Sequence, residues 1–130
     1  MNSKIRNYKD LISWQKGHEL VILVYKITEN FPAEEKFGLV GQMRRAAVSV
    51  TSCIAEGFSR KTNKDKLQFY KIATGSLTEL DNQLTISRDI HYLKANDYEY
   101  ISNLINECGK LINGLCQATQ QNKYKSYEDS

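Results

Sequence analysis

Gly38–Lys61 reads GLVGQMRRAAVSVTSCIAEGFSRK and decides how the rest of the chain must fold. Placed on a helix at 3.6 residues per turn, Met43, Ala47, Val50 and Ile54 share one apolar face. Arg45, Ser49, Ser52 and Glu56 lie on the opposite side. Arg44, Val48, Thr51 and Ala55 form a flanking row of mostly small residues. A helix with one buried stripe and a small-residue flank can be packed on two sides. Its paired arginines then stand near a contact or a binding surface.

The neighbouring segments repeat this helical period. Leu11, Trp14, His18, Val21 and Tyr25 form a stripe, broadened by Leu20, Leu23, Val24 and Ile27, and predict a first helix over about 11–28. Asp10 is its expected N-cap, with Ser13 second. His18, beside Trp14, is expected as a packed, hydrogen-bonded histidine. Asn30-Phe31-Pro32 ends this helix, because proline disfavours the helical conformation in the residue before it, and Phe31 is expected to fold back onto the core. The second helix begins near Gly38 or Gly41 and runs to Gly57 or Phe58, where Gly57 can take a left-handed C-terminal conformation.

Thr62 or Asn63 caps a third helix over 64–93, whose stripe is Phe69, Ala73, Leu77, Leu80, Leu84, Ser87 and His91. Ile72, Ile86 and Ile90 form a second apolar row that a monomeric bundle cannot easily bury. Gly75 inside this helix points to close approach by a neighbour, since glycine costs about 1 kcal/mol there relative to alanine. Asn96 with Glu99 has the form of a capping box before a fourth helix over 97–118, with Ile101, Ile105, Cys108, Ile112 and Leu115 as its stripe. Four such helices joined by short turns predict an all-α, antiparallel up-down-up-down four-helix bundle. It is expected to occupy residues 10–119, between a flexible N-terminus (1–9) and a disordered polar tail (120–130).

A chain of 130 residues with one proline fits a single helical domain. It has no apolar run long enough to span a membrane, and MNSKIRNYKDL lacks a signal-peptide core, so a cytoplasmic protein without a membrane partner is expected. Three cysteines, an odd number, lack ligand spacing and read as reduced thiols, with no metal expected.

The net charge of +3 is unevenly spread. Residues 44–66 carry Arg44, Arg45, Arg60, Lys61, Lys64 and Lys66 against Glu56 and Asp65, whereas 77–107 are acidic in balance. Such separation can attract an anionic partner or join a basic face to an acidic one on the next subunit. The six cations are therefore the candidate nucleic-acid-binding residues, RNA or DNA, through the phosphate backbone. Tyr70 is a candidate for base stacking. The competing reading makes Glu56, Glu79 and Asp81 ion-pair partners of Arg44 and Arg45, within a subunit or between subunits. There is no Gly-rich phosphate loop, no H-E-x-x-H and no Ser/His/acid set, so neither an enzyme nor a bound cofactor is expected.

Trp14, Phe31-Pro32, Glu35-x-Phe37-Gly38-Leu39, Gln42-x-Arg44-Arg45-Ala46-Ala47-Val48-Ser49, Ile54-Ala55-Glu56-Gly57 and Gly75-Ser76-Leu77-x-Glu79-Leu80 occur in this order over residues 8–118. The pattern resembles the bacterial four-helix-bundle family encoded by intervening sequences of 23S ribosomal RNA genes. It is also similar to the accessory variability protein of diversity-generating retroelements. The resemblance implies a homopentameric ring of undetermined biochemical role. In the retroelement relative it implies a basic surface and association with a reverse transcriptase and nucleic acid, so a polymerase becomes a candidate protein partner here. Arg44, Arg45 and Arg60 stand at the family's basic positions, and Glu56 and Glu79 at its acidic ones. Cys53 departs from the asparagine that often precedes Ile-Ala-Glu-Gly.

Overall fold

The computed structural model describes residues 5–121. Expectations for 1–4 and for the polar tail from 122 onward lie outside the described residues. Four helices follow one another: α1 (Ile12–Thr28), α2 (Leu39–Ser59), α3 (Asn63–Asp89) and α4 (Ala95–Gln121). No strand occurs among the described residues. The packing neighbours are α1 with α2, α2 with α3, α3 with α4, and α4 with α1, with the α2–α3 seam the most extensive. This is the square of an antiparallel up-down-up-down bundle, as short connections require.

Leu20 and Val24 from α1, Met43, Val50 and Ile54 from α2, Leu80 and Leu84 from α3, and Ile101, Cys108 and Ile112 from α4 fill the centre. Each buried aliphatic side chain contributes roughly 1.5–3 kcal/mol relative to exposure. The α2 and α4 stripes lie where their periodicity puts them.

On α1 the buried line is Ser13, Gly17, Leu20, Val24 and Thr28, not the Trp14–His18–Tyr25 stripe. The reason is closeness. A Cβ on Gly17 would stand 3.0 Å from Thr51 Cγ2, so only small residues fit where α1 meets α2. The large rings are displaced to the rim, where Trp14 lies 5.4 Å from Tyr8 and stacks on His18 at 4.8 Å. His18 is exposed, with no side-chain hydrogen bond among the described residues. Part of the small-residue flank of α2 is thus spent on α1.

The helix ends also differ from the spacing in places. Asp10 does not cap α1. Its carboxylate accepts from the N–H groups of Arg6 and Asn7, closing a capping box around the 3-10 turn Tyr8–Asp10. Residues 7–10 therefore form a capped turn. Pro32 does follow the end of α1, and Phe31 is buried against Tyr92 at 5.4 Å. Thr62 caps α3, its hydroxyl accepting from Asp65 N–H at 3.1 Å.

The third helix stops at Asp89 rather than Leu93. Tyr92 N–H donates to the Ser87 carbonyl, His91 N–H to that of Arg88, and His91 takes φ 67°. This is a Schellman termination with histidine where glycine is usual, so His91 is not on the core stripe. The last helix starts at Ala95, two residues too early for Asn96 to be its cap. Gly57 sits inside α2 with no left-handed backbone; its role is close approach to Tyr70. At Gly75, expected to sit against a neighbour, an added Cβ would meet no neighbouring side chain or helix within 4 Å.

Candidate nucleic-acid interface

The six candidate cations are not brought together. Arg45 and Arg60 are both on or beside α2 but 15 residues apart, which is about 22 Å of helix at 1.5 Å per residue. Arg44 and Arg45 stand where α2 begins. Arg60, Lys61, Lys64 and Lys66 stand at the opposite end of the bundle, where α2 turns into α3.

Two of the six are occupied by the fold. Arg44 Nε donates to Thr28 Oγ1 at 3.0 Å, Nη2 to the Tyr25 carbonyl at 3.4 Å, and the guanidinium lies 4.5 Å from the Tyr25 ring centre. It closes the C-terminal turn of α1, whose last carbonyls attract a cation. Lys66 does the same for α2. Its Nζ donates to the Phe58 carbonyl at 2.6 Å and sits over the Phe58 ring, and burial lowers its pKa.

Arg60 is partly held. It pairs with Glu56 at 3.0 Å and stacks on Phe69 at 4.6 Å, leaving other guanidinium N–H groups facing outward. Lys61 and Lys64 are exposed, and no carboxylate lies within ion-pair distance of either among the described residues. The Tyr8–Asp10 turn packs against α1 and α2 at this end and brings exposed Lys9 to it. That contribution was hidden in the sequence, where the N-terminal residues read only as polar. Its signal was Asn7 three residues before Asp10.

Arg45 is exposed and without an acidic partner among the described residues. Glu56 is taken by Arg60, and Glu79 accepts from Gln83 Nε2 at 3.3 Å. Asp81 stands at the rim of an open groove between α3 and α4. The intrasubunit pairing of Arg44 and Arg45 with these acids is therefore absent, because Arg44 reaches back to α1 and Arg45 points away from the core. Tyr70 cannot stack on a base; its side chain is buried, and burial pushes its phenol up to about 12. The most exposed aromatic among the described residues is instead Phe37, 88% exposed, with Lys36 Nζ 5.5 Å from its ring centre. The three cysteines are free thiols. No cluster of three or more His, Cys, Asp or Glu suited to a metal occurs among the described residues. None of their helices is long and apolar enough to cross a membrane.

A family model for the 23S rRNA-intervening sequence protein matches residues 9–114. Among solved structures, one similar chain is a protein with unknown function from the S23 ribosomal protein family of Bacteroides thetaiotaomicron VPI-5482. It is 22% identical, with a TM-score of 0.73, over 81% of this chain and 98% of that one. At that identity the likeness concerns the fold. No curated protein matches this sequence.

Proposed function

We propose that this chain, which belongs to the 23S rRNA-intervening sequence protein family, is a non-catalytic, oligomeric binding protein of the cytoplasm that holds a nucleic-acid backbone at its basic end. The observation that supports this reading is the exposure of Lys61 and Lys64 beside Arg60, with no carboxylate among the described residues within ion-pair distance of either lysine. Arginine offers a planar fork to phosphate oxygens and lysine a mobile point charge. Such contacts position a backbone without reading its sequence. Arg44 and Lys66 serve the helix ends, and Arg45 lies too far along α2 to share one phosphate group with Arg60. A homopentamer, as the family resemblance implies, would present the weak basic patch once per copy and gain through multivalency. A polymerase-class protein is the proposed protein partner.

The test is fluorescence anisotropy with labelled RNA and DNA oligonucleotides over a salt series. Binding should fall steeply with salt. Arg60→Ala with Lys61→Ala and Lys64→Ala should reduce the slope of log K against log[salt] by up to about 3, one for each lost phosphate contact. No binding at low salt refutes the reading.

A further inference from the structure

Two opposite sides of the square bundle, α2–α3 and α1–α4, each carry large exposed apolar side chains. Because the helices follow round the square in order, α2 lies across from α1 and α3 across from α4. The first side is set by the bond between Ser49 and Ser76 at 2.7 Å, which marks the seam of α2 and α3. Arg45 is one turn before Ser49 in the same row. Ile72, one turn before Ser76, is 48% exposed, and Ile86 is 42% exposed. The second side carries Ile22, 48% exposed, and Tyr100, 67% exposed, together lining a groove between α1 and α4. Leu111 continues the Tyr100 row half-buried, and Glu19 faces out from α1.

Heights can be compared from the end where α1 and α3 finish and α2 and α4 begin. At 1.5 Å per residue, Ile86 is about 5 Å from that end and Tyr100 about 8 Å; Ile72 is about 26 Å and Leu111 about 24 Å; Arg45 is about 9 Å and Glu19 about 14 Å. Each pair agrees within one helical turn with no vertical slip. We infer that these two sides bind each other between copies of this chain, head to tail. Ile86 packs on the partner's Tyr100, Ile72 on the partner's Leu111, and Arg45 pairs with the partner's Glu19.

This rests on the oligomeric half of the function proposed above and names the surfaces that would build it. The arrangement gives Arg45, which has no acidic partner among the described residues of its own chain, an acidic counterpart. It covers α3 side chains that are otherwise left in water. Lys16 lies 3.2 Å from Glu19 and 3.7 Å from Glu107 within its own chain, so one lysine against two glutamates leaves this cluster acidic in balance to meet Arg45. Glu79 comes level with the partner's Glu107 as a like charge. Two different surfaces in contact make a heterologous interface, which closes into a ring if the rotation allows it.

The experiment is light scattering after size exclusion, on the full chain. One variant carries Ile72→Glu with Ile86→Glu and a second carries Glu19→Arg with Tyr100→Glu; far-UV circular dichroism checks their folds. Wild type should run at a multiple of 15.0 kDa and each variant at the single-chain mass. Mixed in equal amounts, the two variants should stop at a dimer, since one intact surface of each kind remains. Arg45→Glu should weaken association at least tenfold, and adding Glu19→Arg should restore it; this pair decides the matter if a glutamate variant does not fold. A monomeric wild type overturns this inference and the oligomeric reading together, while leaving backbone binding measurable. An oligomer that survives both variants overturns the inference alone. Variants that are monomeric and stay so when mixed overturn the head-to-tail pairing.

Discussion

Gly57 of α2 faces the ring of Tyr70 of α3 so closely that a Cβ on Gly57 would lie 2.5 Å from Tyr70 Cε1 and 2.9 Å from Cδ1. Tyr70 is buried and cannot swing aside. Gly57→Ala should therefore overpack the seam and destabilise the fold by about 1–3 kcal/mol. Gly75→Ala, where nothing approaches, should stabilise by about 0.5–1 kcal/mol, the gain of removing a helix-interior glycine. Urea unfolding of the two variants gives shifts of opposite sign.

The Arg44–Arg45 pair separates by role. Arg44→Ala loses two hydrogen bonds to α1 and the stack on Tyr25, and should cost about 1–2 kcal/mol. Arg45→Ala should stay within about 0.5 kcal/mol at concentrations too low for self-association. Neither change should alter the salt slope of oligonucleotide binding. Thermal melts of dilute protein check the first two outcomes and anisotropy the third.

Glu35 links two connections. Its Oε1 accepts from Leu39 N–H at 3.4 Å, at the start of α2, and its Oε2 accepts from the Tyr92 hydroxyl at 3.0 Å. That hydrogen bond is the main cause of the raised Tyr92 pKa. Glu35→Ala should cost about 1–2 kcal/mol through the lost cap and the unpaired hydroxyl. Tyr92→Phe should cost less. A double-mutant cycle by chemical denaturation should show coupling between them.

Tyr70 predicts an alkaline loss of stability. Its folded pKa of about 12 lies above the ordinary tyrosine value near 10. The unfolded chain therefore releases the proton first, and the native state binds more protons between these values. Stability from this group is complete below pH 10 and falls as pH rises toward 12. Cys108, also pushed up to about 12 by burial, adds a loss of the same sign that begins nearer its unfolded value. Denaturation at stepped pH should show Tyr70→Phe with a shallower fall above pH 10 and the Cys108 share retained.

Helix period, the break at Pro32 and the Thr62 cap depend on residues close in sequence, so the bundle and its order were legible from the chain by itself. The α2 and α4 stripes were legible for the same reason, because regular spacing places one face toward any core. The exposed row of Ile72, Ile86 and Ile90 was legible as a surplus of apolar surface. What the spacing did not contain is which neighbour sits closest. The approach of α1 to α2 at Gly17 and Thr51 turned Trp14 and His18 to the rim. The approach of α3 to Gly57 buried Tyr70. Long cations were decided at the same level. Arg44 and Lys66 look like Arg45 and Lys64 in sequence, yet each of the first two reaches exposed carbonyls at a helix end and is consumed there. The local chain thus determined a four-helix bundle with two arginines at the start of its second helix. Only the packing decided that those arginines differ, one closing α1 and the other facing outward, because side-chain reach is spent on whatever unpaired group the tertiary structure brings nearest.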